Sequence, residues 1–269
     1  MPLTLFAHQV PAIGLKVWRP RWFDGVALCI GSMTPDLGYA VSARLRIDTH
    51  QFPALVTVIL PVTVALTLAI RWQAASVAAA HLPDFGGFRL HSWRVVHRRQ
   101  PAWWVTLSSA VIGIATHVGL DAFTHPGRPG VRLLGYDDVT VTLWGHTEPL
   151  AGVLQLLGHS VGSLVGLWLL AMLGRGRRLE RWYGEEAVAD ARSFSLTPQA
   201  RVLFWSLVAA GLLIGLWAGW HGDLVEQIQR PLVGGTIAVV VAAWLPLCQP
   251  RPQPRAPLTV PRVQAPPRP

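Results

Sequence analysis

The chain is short of charge and of cysteine. Asp, Glu, Lys and Arg make up only 14% of its 269 residues, against 51% hydrophobic, and the mean hydropathy is +0.38. A soluble domain carries about 25% charge, so this composition excludes an ordinary water-soluble fold and points to a membrane protein. Cys29 and Cys248 are the two cysteines, far apart and each in apolar sequence. They offer neither a disulfide framework nor a Cys-x-x-Cys metal site and read as packing residues. The opening MPLTLFAHQVPAIG lacks a cationic stretch followed by an apolar run and a small-residue cleavage site, so a cleaved signal peptide is not expected. No internal repeat is evident.

What the chain does have is long apolar runs. The windows 54–70, 103–122, 150–173, 201–219 and 231–247 are long enough to cross about 30 Å of hydrocarbon as helices rising about 1.5 Å per residue. A sixth window, 23–41, contains Asp24, Asp36, Pro35 and several glycines, and suits a broken or re-entrant segment packed inside protein. The expected fold is all-α: a polytopic transmembrane helical bundle of five or six spans. Residues 1–175 would form the membrane domain carrying the site, 176–200 a cytoplasmic connection, and 201–248 a C-terminal pair of helices. Residues 249–269, QPRPQPRAPLTVPRVQAPPRP, are too rich in Pro and Arg to build a core and read as a disordered tail.

The net charge of +9 is spread among the connections rather than gathered on one module, so nucleic acid is not expected as a partner. Membrane topology accounts for it better. Arg71, Arg89, Arg94, Arg98 and Arg99 follow the first long window; Arg175, Arg177, Arg178, Arg181 and Arg192 follow the third; Arg251, Arg255, Arg262 and Arg268 lie in the tail. By the positive-inside rule these three stretches are cytoplasmic. The alternate stretches are poorer in Arg, with Arg44 and Arg46, then Arg128 and Arg132, then Arg230, and face outward. The expected location is a membrane that the chain crosses several times, with membrane lipids as surroundings.

The apolar helix 103–122 ends in THVGLDAFTHPG. His117, Asp121 and His125 recur every four residues, which at about 100° per residue keeps them on one helix face. Pro126 and Gly127 then stop the helix. An imidazole and a carboxylate one turn apart can grip one metal ion. His125 lies about 12 Å along the axis from His117, too far for all three to share one ion. The topology places other ligand types at similar depth: Asp36 in GSMTPDLGY, His50 in IDTHQFP and His159 in LLGHSVGS. Ionisable residues inside a membrane are costly and mark functional sites. His8 is a weaker candidate, because Lys16, Arg19 and Arg21 favour a cytoplasmic N-terminus unless residues 1–41 form an outward hairpin. His81, His91 and His97 lie in the basic inner connection and are expected to be solvated or interfacial. His146 with Glu148, and His221 with Asp223, read as exposed loop residues.

These stretches resemble a known family. TLFAHQVPA, GSMTPDL and above all HVGLDAFTHPG are similar to a bacterial integral-membrane family described only as domain of unknown function 4184, over about residues 1–175. The ligand order, His, Asp, His, His-x3-Asp, His, is similar to that of membrane-bound metal-dependent hydrolases and of the zinc-dependent phospholipase C and single-strand nuclease superfamily. The resemblance implies that Asp36, His50, His117 and Asp121 hold one zinc ion, and that Asp121 with His8 helps hold another. The chain departs from that superfamily where a His-x3-Glu pair is expected, having His159 and Ser163, and it begins Met-Pro with no visible site for freeing an N-terminal amine ligand. One complete site or two incomplete ones is therefore the expectation, with a divalent metal, zinc on the resemblance, as cofactor.

The function expected from this reading is hydrolysis of phosphate esters, on a lipid or lipid-linked substrate, at the extracytoplasmic face. Asp36 would be the catalytic carboxylate that orients or deprotonates water, since it adjoins a Gly/Pro-containing segment able to bring backbone close to substrate. The alternative is a non-enzymatic membrane protein in which a metal or polar site clamps helices. A transporter is a third class, but it favours inverted repeats and polar residues at mid-membrane, whereas here they crowd one end.

Overall fold

The structure is a computed structural model that describes residues 4–37, 48–98, 100–222 and 224–253. Arg44, Arg46, Arg99, Asp223 and residues 254–269 of the tail lie outside these.

Helices make up about three quarters of the described residues. Two short helices, α1 (Thr4–Ala7) and α2 (Gln9–Trp18), precede α3 (Gly25–Gly31) and α4 (Thr34–Leu37). The long helix α5 runs from Phe52 to His81, α6 is Trp103–Thr124, α7 is Pro129–Leu133 and α8 is Leu150–Arg175. Then come α9 (Arg178–Tyr183), α10 (Glu185–Arg192), α11 (Pro198–Gly219) and α12 (Leu224–Trp244). Among the described residues, α5, α6, α8 and α11 are long and apolar enough to cross a membrane. The window 231–247 falls in α12, whose first turns carry Gln227, Gln229 and Arg230. Among the described residues, sheet is confined to two antiparallel pairs: β1 (Thr140–Leu143) with β2 (His146–Pro149), turning at Trp144 and Gly145, and the two-residue strands β3 (Phe194–Ser195) and β4 (Arg251–Pro252).

Local sequence explains the irregularities of α5. Pro61 lies inside the helix, where a proline donates no hydrogen bond and crowds the carbonyl four residues earlier. The chain takes a π turn over Leu55–Ile59 just before it. A second π turn, Ile70–Ala74, turns Arg71 inward. The predicted end of this span at residue 70 is therefore corrected: apolar residues resume after Arg71, and the helix continues to His81. Arg71 is 3% exposed, buried within the protein rather than part of a solvated connection.

Arg71 is buried because it has a partner. Asp24 caps α3 by accepting the backbone N–H groups of Val26 (3.1 Å) and Ala27 (3.4 Å), and its own N–H donates to Ser109 Oγ at 2.9 Å. Thr106 Oγ1 donates to the Asp24 carboxylate at 2.8 Å, and the Arg71 guanidinium pairs with it. One carboxylate thus ties α3 to α5 and α6. From this pin α3 runs alongside α6 in the same direction, with backbones in close contact. A Cβ on Gly31 would lie 2.6 Å from the Ala110 carbonyl oxygen, so only glycine permits this approach. The described part of the window 23–41 is not one helix: it runs as α3 from Asp24, breaks at Ser32–Met33, and continues as α4 to Leu37.

Helix α2 runs back along α3, so residues 4–37 form a hairpin that brings His8 to the same end of the bundle as Asp36. The hairpin seats against α8 through small residues, Gly162 meeting Ala7 and Gly166 meeting Phe6. On the other side of the bundle α11 and α12 form a tight pair, with Gly211 against Gly234. Phe204, Ala242 and Ala243 of this pair pack on Ala74 and Val77 of α5. His81 belongs to that contact and corrects the expectation of a solvated residue: it is buried, stacks on Phe204 with ring centroids 4.1 Å apart, and lies 2.9 Å from the Cys248 carbonyl oxygen. His91 and His97 are half-buried and bonded to the Leu82 and Arg94 carbonyls.

Candidate metal centre

Three separate segments deliver four ligand-type side chains to the C-terminal end of α6. His117 and Asp121 come from α6 itself. Asp36 comes from α4, held there by the α3–α6 contact, and His50 from the turn preceding α5. One donor atom from each of these four lies within 4.8 Å of every other.

Three of the four form a regular triangle. His50 Nε2 to His117 Nε2 is 3.3 Å, His117 Nε2 to Asp121 Oδ2 is 3.3 Å, and His50 Nε2 to Asp121 Oδ2 is 3.4 Å. Asp36 Oδ1 stands slightly farther off, at 3.5 Å from His117 Nε2 and 3.9 Å from His50 Nε2. Ordinary charge-assisted N–H···O contacts would be about 2.7–2.9 Å. Ligands arranged tetrahedrally around zinc at about 2.0–2.2 Å are instead separated by about 3.3–3.6 Å. The triangle has the spacing of donors around a common centre, not of donors bonded to each other.

Backbone contacts fix the rings in the orientation this requires. His117 Nδ1 donates to the Ser32 carbonyl oxygen at 2.9 Å, which turns Nε2 toward the cluster. Ser32 is placed there by the break between α3 and α4. His50 is held by its backbone N–H, which donates to Asp48 Oδ1 at 3.1 Å. That N–H is the main reason the Asp48 carboxyl stays below its ordinary range. Thr49 Oγ1, which donates to the Pro35 carbonyl at 2.8 Å, lies 3.4 Å from His50 Nδ1 and joins the His50 turn to the Asp36 segment.

The other oxygen of Asp121 faces a second group. Oδ1 is 3.7 Å from His8 Nε2 and 3.5 Å from His125 Nδ1, is buried, and accepts no hydrogen bond. The His8 ring stacks on His117 with centroids 4.1 Å apart, while His159 lies 5.6 Å from the His8 ring and 6.1 Å from that of His125. His8 Nδ1 and His159 Nδ1 are likewise buried without hydrogen-bond partners. Asp36, His50 and His117 thus gather with Asp121, His8 and His125 stand by its other oxygen, and His159 lies beside the rings of those two. His125 joins because α6 ends at Thr124 and the extended backbone at His125 turns its ring back. His146 and Glu148 lie on the exposed strand β2 and His221 is exposed; none of the three reaches the cluster.

Sequence reasoning missed Gln155, whose Nε2 is 2.6 Å from His125 Nε2. Its place one helical turn before His159 was the available signal. It also missed Ser32, which acts through its carbonyl and leaves no side-chain trace in the sequence.

Apolar helices and buried ligand cluster together define a polytopic helical membrane protein with a His/Asp site able to hold a metal ion. A family model described as Domain of unknown function (DUF4184) matches residues 1–245, and the chain belongs to that family. The match extends past residue 175 to cover the α11–α12 pair. No curated protein and no solved structure matches the chain.

Proposed function

We propose that this protein is a metal-dependent hydrolase of phosphate esters, acting on a lipid or lipid-linked substrate at the extracytoplasmic face of the bacterial inner membrane. The observation that carries the reading is the contrast between the tight triangle of His50, His117 and Asp121 and the slightly removed Asp36. Two imidazoles and a carboxylate plus one open position is the ligand count of catalytic zinc sites. Their neutral nitrogens and single carboxylate suit zinc better than the all-oxygen cations.

A zinc ion bound there would supply a Lewis acid for a phosphoryl oxygen and lower the pKa of a water molecule toward about 7. The chain's residues supply the rest. The Asp36 side chain is 20% exposed while those of His50, His117 and Asp121 are 6% exposed or less. Asp36 is thus the carboxylate of this set that meets entering water, and it is poised to take its proton. A further cation would have to rest on His8 and His125, at 3.7 and 3.5 Å from Asp121 Oδ1, and such a pairing would suit phosphate esters by neutralising charge on both sides of the phosphorus. On this reading the cluster lies at the membrane boundary, where a lipid headgroup would reach it past Asp36, the most exposed of the four side chains.

A structural clamp is the second reading, favoured by the gathering of four ligands, since closed four-ligand sites are structural. Asp36→Asn separates the two, because it keeps size and removes basicity. The enzyme reading expects that variant to fold, retain metal, and lose at least about 100-fold of phosphodiester turnover on lipid-like substrates. A metal-loaded wild type that is inert across phosphodiester and phosphomonoester lipids supports the clamp.

A further inference from the structure

A second site lies at the other end of α6, about 22 Å along the helix axis from His117. There a cavity of about 700 Å³ opens between the α2–α3 turn, the first turn of α6 and α9. Lys16, Arg21, Arg178 and Arg181 line it, with Trp182 and Tyr183 beside them, and no carboxylate is among its described lining residues. Lys16 is the only lysine of the sequence. Its Nζ donates to the Pro20 and Phe23 carbonyls at 2.6 and 2.8 Å and lies 5.3 Å from the Trp182 ring centroid, so its ammonium is fixed at the cavity wall. Four cations sharing one concavity repel each other, and the repulsion is relieved by an anion that enters. Ala102, at the start of α6, also lines the space, and adds the positive end of a long helix.

The depth of the cavity identifies the anion. Trp18, Trp22, Trp103 and Trp104, at this same end, are 66%, 68%, 71% and 61% exposed. Exposed tryptophans clustered at the end of an apolar helix mark the headgroup level of a bilayer. Phe23 and Val105 give the cavity an apolar side continuous with the membrane-facing start of α6. A basic pocket between helices at this level takes an anionic lipid headgroup, and its volume lies within the usual range of about 300–1,000 Å³ for small-molecule sites. We infer that this cavity binds the phosphate headgroup of an anionic glycerophospholipid, separately from the metal cluster. The aromatic rings pack on the glycerol, and the four cations hold the phosphate.

The test uses the full chain in neutral detergent micelles, titrated with phosphatidylglycerol, phosphatidylcholine or inorganic phosphate, with bound lipid read by native mass spectrometry and thermal unfolding followed in parallel. Phosphatidylglycerol should remain bound and raise the unfolding temperature, phosphatidylcholine should do neither, and millimolar phosphate should not reproduce the shift. Arg178→Gln and Arg181→Gln should each weaken retention about fivefold, the loss expected of one basic contact to an anionic lipid. Arg201→Gln, an exposed basic residue outside the cavity, should leave it unchanged. Equal retention of both lipids, equal weakening by Arg201→Gln, or a full shift from inorganic phosphate alone would each overturn the assignment. Should the Arg178 variant fail to fold, Arg181→Gln, at an exposed position, and the wild-type comparison of the two lipids decide the matter alone.

Discussion

Replacing Arg71 with leucine tests how the hairpin that carries Asp36 is held in place. Arg71 lies in the π turn of α5 and pairs with Asp24, which is itself 3% exposed and bonded to Thr106, Val26 and Ala27. Two estimates of the loss compete. A hydrogen bond within a membrane protein averages only about 0.6 kcal/mol, because the unfolded chain finds other partners in the membrane. Stripping one partner from a buried ion pair leaves an uncompensated charge and costs about 3–5 kcal/mol. Asp24 keeps three hydrogen bonds in the variant, which places the expected loss near the low end, about 3 kcal/mol. Asp24→Leu should cost more, since it also deletes the cap of α3, worth about 1 kcal/mol. Asp24→Ser with Arg71→Met removes both charges, keeps a capping hydroxyl, and should recover most of the loss. The assay is reversible unfolding in mixed micelles followed by tryptophan fluorescence, with zinc affinity measured on the folded fraction. Affinity should fall about 10–100-fold in Arg71→Leu, because α3 carries the Ser32 carbonyl that orients His117. A loss below about 1 kcal/mol, or a double variant no better than the worse single one, would refute the claim that this pair pins the hairpin.

Gly113→Ala should weaken both stability and zinc binding, since its Cβ would press on the Leu28 carbonyl and lie 3.1 Å from Gly31 Cα; a cost of about 1–3 kcal/mol is expected. Gly119→Ala, two turns nearer the cluster but with nothing within 4 Å of its Cβ, should be neutral or slightly stabilising in the same thermal assay. In a cysteine-free background, cysteine at Glu185 should resist an impermeant thiol reagent in intact cells while cysteine at Arg132 reacts. Both side chains are well exposed, at 78% and 69%, so accessibility across the membrane and not burial decides the outcome. The reverse labelling would put the cluster on the cytoplasmic side.

The parts of the site that were legible in the sequence are those governed by one helix or by depth. His117 and Asp121 share a face because of a four-residue spacing, which no tertiary contact can alter. Asp36, His50 and His159 were placed at the same level from arginine positions and span lengths. The pairing of Asp24 with Arg71 was not legible: it needs a π turn in α5, a cap on α3 and two hydroxyls of α6 to converge. Counting Arg71 as a solvated connection residue ended α5 too early, and the partner that justified its burial lay 47 residues away. His8 depended on whether the N-terminal segment doubles back. Lys16, Arg19 and Arg21 argued against that as topology signals, yet they sit at the turn of the hairpin, on the side opposite His8. His81 looked like a surface histidine because its partners, Phe204 and the Cys248 carbonyl, are more than 120 residues distant.

Metal content bears most directly on the central claim, that the donors around Asp121 form a metal centre and not a network of mutual hydrogen bonds. The measurement is elemental analysis of chromatographically pure, folded protein, prepared without chelators, for wild type beside His117→Ala, Asp121→Ala and the exposed control His146→Ala. The account predicts at least one zinc per chain in wild type and in His146→Ala. It predicts loss of most zinc in His117→Ala, and deeper loss in Asp121→Ala, because that carboxylate faces both groups. A folded wild type that carries no stoichiometric metal and takes up none from added zinc would contradict it.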